Sequence, residues 1–272
     1  MNGSDFDWGP LLKGGPLFVG ILNLTPDSFS DGGRFQAPEA ALDQALRLVE
    51  AGAGMLDLGA ESTRPGAAAL ASDEEWQRLA PVLAVLAREQ IPVPLSLDTR
   101  HAEVARRGLA AGIAVLNDVS GFSAPAMLAL AQESGCGLIA MRSRPQGEGF
   151  LMPPYDDPVP REAGTAVQEL RDLRDRLHDA GITDGRVLLD PGFGFGTTFQ
   201  EDLALWKALP GLPGALGWPV TRFCIGISRK RFLATRAGRP GLSPSERDGL
   251  SAAAHAEALA WGYRVFRTHA LG

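Results

Sequence analysis

The 272-residue sequence predicts an α/β fold in which eight parallel strands close into a (β/α)8 barrel. Eight short apolar segments are separated by seven stretches with helical periodicity, which favours parallel strands joined by helical crossovers. Polar residues end one strand after another, and in a barrel those strand ends meet on a single face. These residues are Asn23, Asp57, Glu61, Asp98, Asn117, Asp118, Arg142, Asp190, Ser228, Lys230, Arg267 and His269. A doubly wound open sheet would fit the alternation too, but it would spread these residues along an edge. We therefore expect one barrel domain over residues 1–272.

The strands are predicted where β-branched and apolar residues are dense enough for a strand that is buried on both faces. These segments comprise residues 18–24, 55–59, 94–99, 114–118, 137–143, 186–192, 222–228 and 264–269. Between them, apolar residues recur at i, i+3 and i+4, as at Leu42, Ala45 and Val49, which is typical of an amphipathic helix.

Two helix starts carry recognisable signals. Ser72 with Glu75 predicts a capping box, and Ser243-Pro244-Ser245-Glu246 adds a proline at the first helical position. The sequence ends soon after the eighth strand, so the eighth helix is expected to be missing. Either residues 1–17 cover the flank of strands 8 and 1, or that flank is left underprotected, and a partner subunit could also cover it.

Composition argues against several classes of protein. The net charge is −6, so no overall basic field would attract nucleic acid or a membrane surface, and an anionic substrate would need local cations. Cys136 and Cys224 lie far apart without other ligands at metal-binding spacing, which predicts buried thiols. Neither a secretory signal nor an apolar run of ~18–20 residues is present, so we expect a cytoplasmic protein.

Two aspartates that end strands are candidates for chemistry. Asp98 and Asp190 could accept hydrogen bonds from a ligand rich in N–H groups or stabilise a developing cation, although a single aspartate there could also cap a helix. Asn117 ends a strand between them, which favours the functional interpretation. The run Asp-Pro-Gly-Phe-Gly-Phe-Gly after strand 6 would let backbone and aromatic rings approach a ligand closely.

Cationic residues also follow strands 2, 7 and 8. Arg64, the run 228–231, and Arg267 with His269 together predict an anion site, although each alone could be a solvated or structural side chain. The loop after strand 1 is long, polar and rich in hydroxyl groups, which predicts a loop that holds a ligand.

Six motifs, in this order, together resemble dihydropteroate synthases: GILNLTPDSFSDGG, DLGAESTRPGA, SLDTR, LNDVSG, LLDPGFGFG and GISRKRF. The resemblance extends from about Phe18 to His269. It implies a (β/α)8 barrel, usually dimeric, that condenses 6-hydroxymethyl-7,8-dihydropterin diphosphate with 4-aminobenzoate and releases diphosphate with Mg2+ present.

The resemblance also implies roles for individual residues. Those expected to bind the pterin are Asp98, Asn117, Asp190 and Lys230. Those expected around aminobenzoate are Thr63, Arg64, Pro65, Phe195 and Ser228. Asn23 is expected to contact the metal and diphosphate, Arg267 and His269 to contact the phosphates, and Asp27, Ser28 and Phe29 to lie on the first loop, as a lid that covers the site. The residues expected to be catalytic are Asp98, Lys230 and Arg267.

The sequence departs from the family pattern at several positions. Thr197 stands where the family usually has lysine, Arg142 where it has histidine, and Ala270 where it has aspartate. The changes at Thr197 and Ala270 and the missing last helix leave open a paralogue that binds pterin with weak or no synthase activity. A second alternative is a pterin-dependent methyltransferase domain, because such barrels share the pterin-binding asparagine and aspartates.

Overall fold

The computed structural model describes residues 5–24, 37–62, 69–145 and 163–271. Within them lie eight strands: β1 (Leu17–Asn23), β2 (Met55–Gly59), β3 (Leu95–Asp98), β4 (Val115–Asp118), β5 (Gly137–Met141), β6 (Val187–Asp190), β7 (Cys224–Ile225) and β8 (Val265–Thr268). All eight predicted strands are present, and most are shorter than the sequence suggested. The largest difference is at β7, where two residues form ladder pairs and seven were predicted.

All strand pairs are parallel and give the order β6-β5-β4-β3-β2-β1-β8-β7. A single parallel bridge between Leu189 and Phe223 joins β6 to the segment that leads into β7. The sheet therefore closes on itself almost completely, which confirms the predicted barrel over the open sheet.

Ten α-helices are described, of which the first precedes β1 and the other nine lie between consecutive strands. They are α1 (Gly9–Leu12), α2 (Ala37–Glu50), α3 (Ser72–Arg88), α4 (Ala102–Ala110), α5 (Pro125–Ser134), α6 (Ala163–Asp179), α7 (Phe199–Ala208), α8 (Leu212–Leu216), α9 (Arg231–Arg236) and α10 (Asp248–Ala260). In the part of the chain that the structure describes, no helix follows β8, as expected, and none is long and apolar enough to cross a membrane.

Alternation along the strands divides the core into two parts, because successive side chains point to opposite faces of a sheet. Outward-facing strand residues such as Leu58, Leu97 and Leu138 pack against the helices. Inward-facing residues such as Val19, Met55 and Ile139 fill the lower interior of the barrel. Both cysteines are buried free thiols, as predicted.

The N-terminal segment closes the bottom of the barrel. Trp8 is fully buried against the inward-facing layer, its backbone N–H donates to the Gly185 carbonyl, and its indole Nε1 donates to the Arg186 carbonyl at 2.9 Å. The alternative in which residues 1–17 cover the flank of strands 8 and 1 was thus wrong for this segment. An indole can fill the open end of the interior, whereas the outer flank carries its own contact between Phe18 and Phe266.

The predicted capping box at Ser72 was also wrong. Helix α3 begins at Ser72 itself, with Ala71 as its N-cap, and the buried Glu75 carboxylate lies 2.6 Å from Nδ1 of His101 instead. The start near Ser243 was better predicted, because the Ser243 backbone N–H donates to Glu246 at 2.7 Å before the helical turn that leads into α10. The complete capping box lies at Thr198 and Glu201, at the start of α7.

Candidate functional site

The inward-facing side chains near the carboxyl ends of the strands are polar, in contrast to the apolar layer below them. Strand alternation and register place them on the inside of the barrel. This set includes Asn23, Asp57, Asp98, Asn117, Asp190 and Arg267. Five of these six residues were given individual roles from the sequence, and Asp57 was placed with them among the polar strand ends. The carboxyl-end face of the barrel is therefore the candidate functional site, as the fold requires.

Arg267 lies at the centre of this set and holds two carboxylates. Its Nε contacts Oδ2 of Asp57 and its Nη2 contacts Oδ2 of Asp98, each at 2.6 Å. The Asn117 amide donates to the same Oδ2 of Asp57 at 2.8 Å. The structure thus brings Asp98, Asn117 and Arg267 together in one network with Asp57. The sequence placed Asp57 among the polar strand ends of this face but gave it no individual role.

This arrangement shifts the protonation equilibrium of Asp98. Burial raises the pKa of Asp98 to about 7, and the neighbouring Asp57 carboxylate adds to the rise, while Arg267 opposes it. Burial would also lower the pKa of the Arg267 guanidinium, but the two aspartates outweigh that effect and raise it, so the guanidinium stays charged. The site therefore contains a permanent cation beside a carboxylate that titrates near neutral pH.

Asp190 ends β6 on another side of the same interior. The Gly192 backbone N–H donates to its Oδ1 at 2.8 Å, and a Cβ at position 226 would lie 2.8 Å from its Oδ2. Glycine at position 226 therefore gives the carboxylate the space it occupies. Burial raises the pKa of Asp190 to about 6, whereas the Gly192 hydrogen bond and the charge of Lys230 oppose the rise.

Lys230, expected at the pterin, and Phe195, expected at aminobenzoate, are direct neighbours. The Lys230 ammonium lies 3.8 Å from the centroid of the Phe195 ring, a cation–π contact. Burial lowers the pKa of Lys230 to about 8, and the carboxylates of Asp202 and Asp190 act against that shift. Asp202 is fully buried and was missed by sequence reasoning, because an aspartate in the first turn of a helix usually serves the helix itself.

Asp202 also explains the departure at Thr197. The Thr197 hydroxyl donates to Oδ1 of Asp202 at 2.7 Å, and both oxygens accept from the Gly194 backbone N–H. The threonine thus orders the glycine–phenylalanine loop.

Ser228 and His269 form a second contact at the edge of the site. The His269 backbone N–H donates to Oγ of Ser228 at 3.1 Å, and Nδ1 of the same histidine lies 3.1 Å from that oxygen. Burial, together with the charges of Arg267 and Arg229, lowers the pKa of His269 to about 3. The neutral imidazole can accept a hydrogen bond from the Ser228 hydroxyl. Residues expected at aminobenzoate and at phosphate are therefore direct neighbours.

The other two residues that differ from the family pattern, Arg142 and Ala270, both take part in hydrogen bonds. Arg142 lies on the outer side of β5 and is 4% exposed, with its guanidinium bound to the Pro191 carbonyl and to Glu169. It was expected among the polar residues that converge on the site face, and strand alternation directs it away from the barrel interior. The Ala270 carbonyl accepts from the Thr268 hydroxyl at 2.9 Å.

Several predicted site residues lie outside the described residues. They are Thr63, Arg64 and Pro65 of the aminobenzoate set and Asp27, Ser28 and Phe29 of the lid. Their roles stay predictions.

Metal binding would depend on few protein groups. Among the described residues, no cluster of three or more His, Cys, Asp or Glu side chains could hold a metal ion. Asn23 ends β1 in register with Gly59, and alternation places it on the inner face. A single carboxamide oxygen suits Mg2+, which usually takes one or two protein ligands and completes its shell with phosphate oxygens and water.

Comparisons with known proteins agree with this geometry. The model of the family described as pterin binding enzyme matches residues 19–269. A dihydropteroate synthase of Synechocystis sp. is 36% identical over 269 residues, covering 97% of this chain and 87% of that protein. The structure of Xanthomonas albilineans dihydropteroate synthase with 4-aminobenzoic acid superposes with a TM-score of 0.82 at 38% identity, covering 95% of this chain and 89% of that one. The same enzyme in complex with 7,8-dihydropteroate gives a TM-score of 0.79 at 35% identity, with the same coverage.

Proposed function

This chain belongs to the dihydropteroate synthase family of pterin-binding transferases, and from that premise we propose how its own residues carry the reaction. A dihydropteroate synthase condenses 6-hydroxymethyl-7,8-dihydropterin diphosphate with 4-aminobenzoate and releases diphosphate. The observation that carries the assignment of residues is the convergence of Asp98, Asn117 and Arg267 on one buried contact network inside the barrel.

The pterin ring is held by groups that complement its N–H donors and carbonyl. The carboxylates of Asp98 and Asp190 accept from ring and exocyclic N–H groups, and the Asn117 carboxamide offers an acceptor because its amide already donates to Asp57. Lys230 donates from the side of β7. Because these groups are fixed by neighbours before substrate arrives, little reorganisation accompanies binding.

Breaking the C–O bond to diphosphate leaves positive charge on the pterin methylene group. Asp98 stabilises this charge in its ionised form, and its largely buried position strengthens the effect relative to bulk water. Arg267 donates to Oδ2 of Asp98, and we assign the other carboxylate oxygen, Oδ1, to the pterin. The same guanidinium faces the departing negative charge and stabilises it.

The aminobenzoate amine then forms the new C–N bond and loses a proton to water or diphosphate. A neutral aromatic amine needs positioning more than activation. The Phe195 ring and the Ser228 hydroxyl supply apolar and polar contacts, and Thr63, Arg64 and Pro65 are proposed to complete this side. Asp27, Ser28 and Phe29 belong to the proposed lid, which would exclude water from the cationic intermediate.

The diphosphate is proposed to lie near Asn23, Arg267 and His269. Asn23 fits Mg2+ as a neutral oxygen ligand, and the ion when bound would neutralise charge on the diphosphate. His269 is neutral in the free protein because burial holds its pKa near 3. It would therefore contact phosphate oxygens through an N–H group without adding a full positive charge.

A steady-state assay with both substrates and Mg2+ tests this function. We expect dihydropteroate to form with the wild-type protein and turnover to fall by about 10²-fold or more in Asp98→Asn, because the charge acts mainly in the transition state. Circular dichroism should show that the variant is folded. Pterin binding by calorimetry without any turnover in the wild-type protein would support the binding-only paralogue instead. Methyl transfer from methyltetrahydrofolate would support the methyltransferase.

We also propose that the protein is a homodimer located in the cytoplasm. A homodimer is proposed from the family resemblance, and light scattering at micromolar concentration measures it directly. A cytoplasmic location is supported by two buried cysteines that stay as free thiols, since disulfides are rare in reducing compartments.

A further inference from the structure

A charged network lies behind the glycine–phenylalanine loop, on the side away from the barrel interior. It consists of Arg142, Arg144, Glu169 and Glu201. The Glu169 carboxylate on α6 bridges the two arginines, contacting Nη1 of Arg142 at 2.9 Å and Nε of Arg144 at 2.6 Å. Arg144 continues to Glu201 in the first turn of α7. Charges of opposite sign alternate along the network, which is what lets such groups stay buried.

Arg142 fixes the first part of the loop through both backbone and side chain. Its backbone N–H donates to the Asp190 carbonyl at 3.0 Å, and its Nε donates to the Pro191 carbonyl at 2.7 Å. Its Nη2 lies 3.4 Å from the Gly192 carbonyl. Gly192 is in turn the residue whose N–H holds Oδ1 of Asp190. Arg142 is thus two contacts away from a carboxylate that faces the pterin site.

Arg144 fixes the second part of the loop. Its backbone N–H donates to the Phe195 carbonyl at 3.1 Å, while its guanidinium is held at both ends by Glu169 and Glu201. Phe195 is the residue whose ring contacts the Lys230 ammonium. Arg144 therefore determines where the backbone that carries this ring lies.

The backbone of the glycine–phenylalanine loop lies very close to the backbone of residues 142–144. Gly192 and Gly196 have φ of +72° and +73°, and a Cβ on them would lie 1.7 Å from the Arg142 carbonyl oxygen and 2.1 Å from the Arg144 carbonyl oxygen. Only glycine tolerates both the backbone conformation and this approach. The backbone at 142–144 and the loop at 191–196 therefore pack directly against each other.

We propose that Arg142, Arg144 and Glu169 form a positioning clamp, in which Arg142 sets the Asp190 carboxylate for the pterin and Arg144 sets the Phe195 ring for aminobenzoate. This inference rests on the proposed function and deepens it. None of the three residues touches substrate in this scheme. They act through a loop whose displacement by even ~1 Å can cost about 10²-fold in rate.

The test uses Arg142→Lys and Arg144→Lys, because lysine keeps the charge but cannot make several fixed contacts at once. Arg171→Lys is the matched control, since Arg171 also lies on this side of the fold, on α6, but binds Gln168 and the Ala215 carbonyl. We expect Arg142→Lys to raise KM for the pterin diphosphate by about fivefold or more, and Arg144→Lys to raise KM mainly for aminobenzoate. The control should change neither.

A second measurement does not depend on turnover. Hydrogen exchange of the peptide spanning residues 190–198 should become faster in both variants, because the Gly192, Gly194 and Phe195 amides are hydrogen-bonded within the loop. Exchange in peptides from the opposite end of the barrel should stay unchanged. If Arg142→Lys does not fold, Arg144→Lys alone carries the test through both measurements.

The outcomes separate the two proposals. An inactive wild-type protein in which loop exchange still responds to both variants would refute the proposed function and keep the clamp. The wild type could instead be active while both variants keep the wild-type KM values and loop exchange rates and only melt at a lower temperature. That result would refute the clamp and leave the proposed function intact.

Discussion

Replacing Asp57 with asparagine should move the acid limb of the pH profile of kcat/KM to lower pH. Oδ2 of Asp57 accepts from both Asn117 and Arg267, and Oδ1 has no partner among the described residues. An asparagine carbonyl at the Oδ2 position would keep both hydrogen bonds, and its amide would occupy the Oδ1 position. The substitution therefore removes a charge while it preserves shape.

The size of the expected change in the pKa of Asp98 follows from its distance to Asp57, because both carboxylates contact the Arg267 guanidinium. Asp57 and Asp98 each lie 2.6 Å from neighbouring nitrogens of Arg267, so their charge centres are roughly 5 Å apart. Two unit charges at that distance repel by about 1.5 to 3 kcal/mol at an effective dielectric constant of about 20 to 40. Removing the repulsion should lower the pKa of Asp98 from about 7 by about 1 to 2 units. Asp190, with a pKa of about 6, would then set the limb.

The assay is kcat/KM for the pterin diphosphate from pH 5 to 9, because this ratio reports the pKa values of the free enzyme. Asp98 acts when ionised, so the rate should rise with pH, with a midpoint near 7 in the wild type and near 6 in Asp57→Asn. Ser96→Ala is the control, since Ser96 is the buried, uncharged register neighbour of Asp57 on β3. An acid limb that is the same in Asp57→Asn and the wild type would refute the electrostatic coupling of Asp57 to Asp98.

Three further predictions follow from buried groups. Burial lowers the pKa of Lys230 to about 8, and its ammonium form is the one expected to donate a hydrogen bond to the pterin, so kcat/KM should fall above pH 8. In Lys230→Arg the maximal kcat/KM should be lower, but this fall at alkaline pH should be absent. Burial lowers the pKa of His255 to about 4, so below pH 7 the unfolded chain binds a proton at this histidine that the folded protein does not. Between pH 7 and 5 the free energy of unfolding, measured with urea, should therefore fall by about 2 kcal/mol more in the wild type than in His255→Leu. An equal fall in both proteins would contradict this. Trp8→Ala should cost about 3–5 kcal/mol of stability by opening a cavity, yet keep kcat/KM, because Trp8 lies at the end of the barrel opposite the site. A large loss of kcat/KM in the folded variant would argue against that separation.

Most residues of the candidate site could be predicted because their position at the end of an apolar strand is visible in the neighbouring sequence. Asp98, Asn117, Asp190 and Arg267 each stand at or near the carboxyl end of an apolar strand, and parallel strands in a barrel direct those ends to one face. Any sequence with this alternation and these strand ends would give the same prediction. The residue types predicted a site for an anion and for a ligand rich in N–H groups, and the family motifs predicted the two substrates.

The role of Arg142 could not be predicted in the same way. Met141 faces inward and Arg142 outward, so a shift of one residue in the strand reverses the side on which the charge lies. Its partners, Pro191 and Glu169, are 49 and 27 positions away in the sequence. Nothing in the local pattern identifies such contacts, because they exist only once β5, β6 and α6 are packed together.

The sequence by itself determined the barrel, the face that carries the site and the family, because periodicity, strand-end polarity and short motifs are properties of contiguous residues. Only the tertiary structure decided which carboxylates share the Arg267 guanidinium, that Asp57 links Arg267 to Asn117, and that Trp8 closes the bottom of the barrel. Hydrogen bonds, ion pairs and pKa shifts depend on distances of a few ångströms between residues remote in sequence, and those distances are fixed by packing of the whole chain.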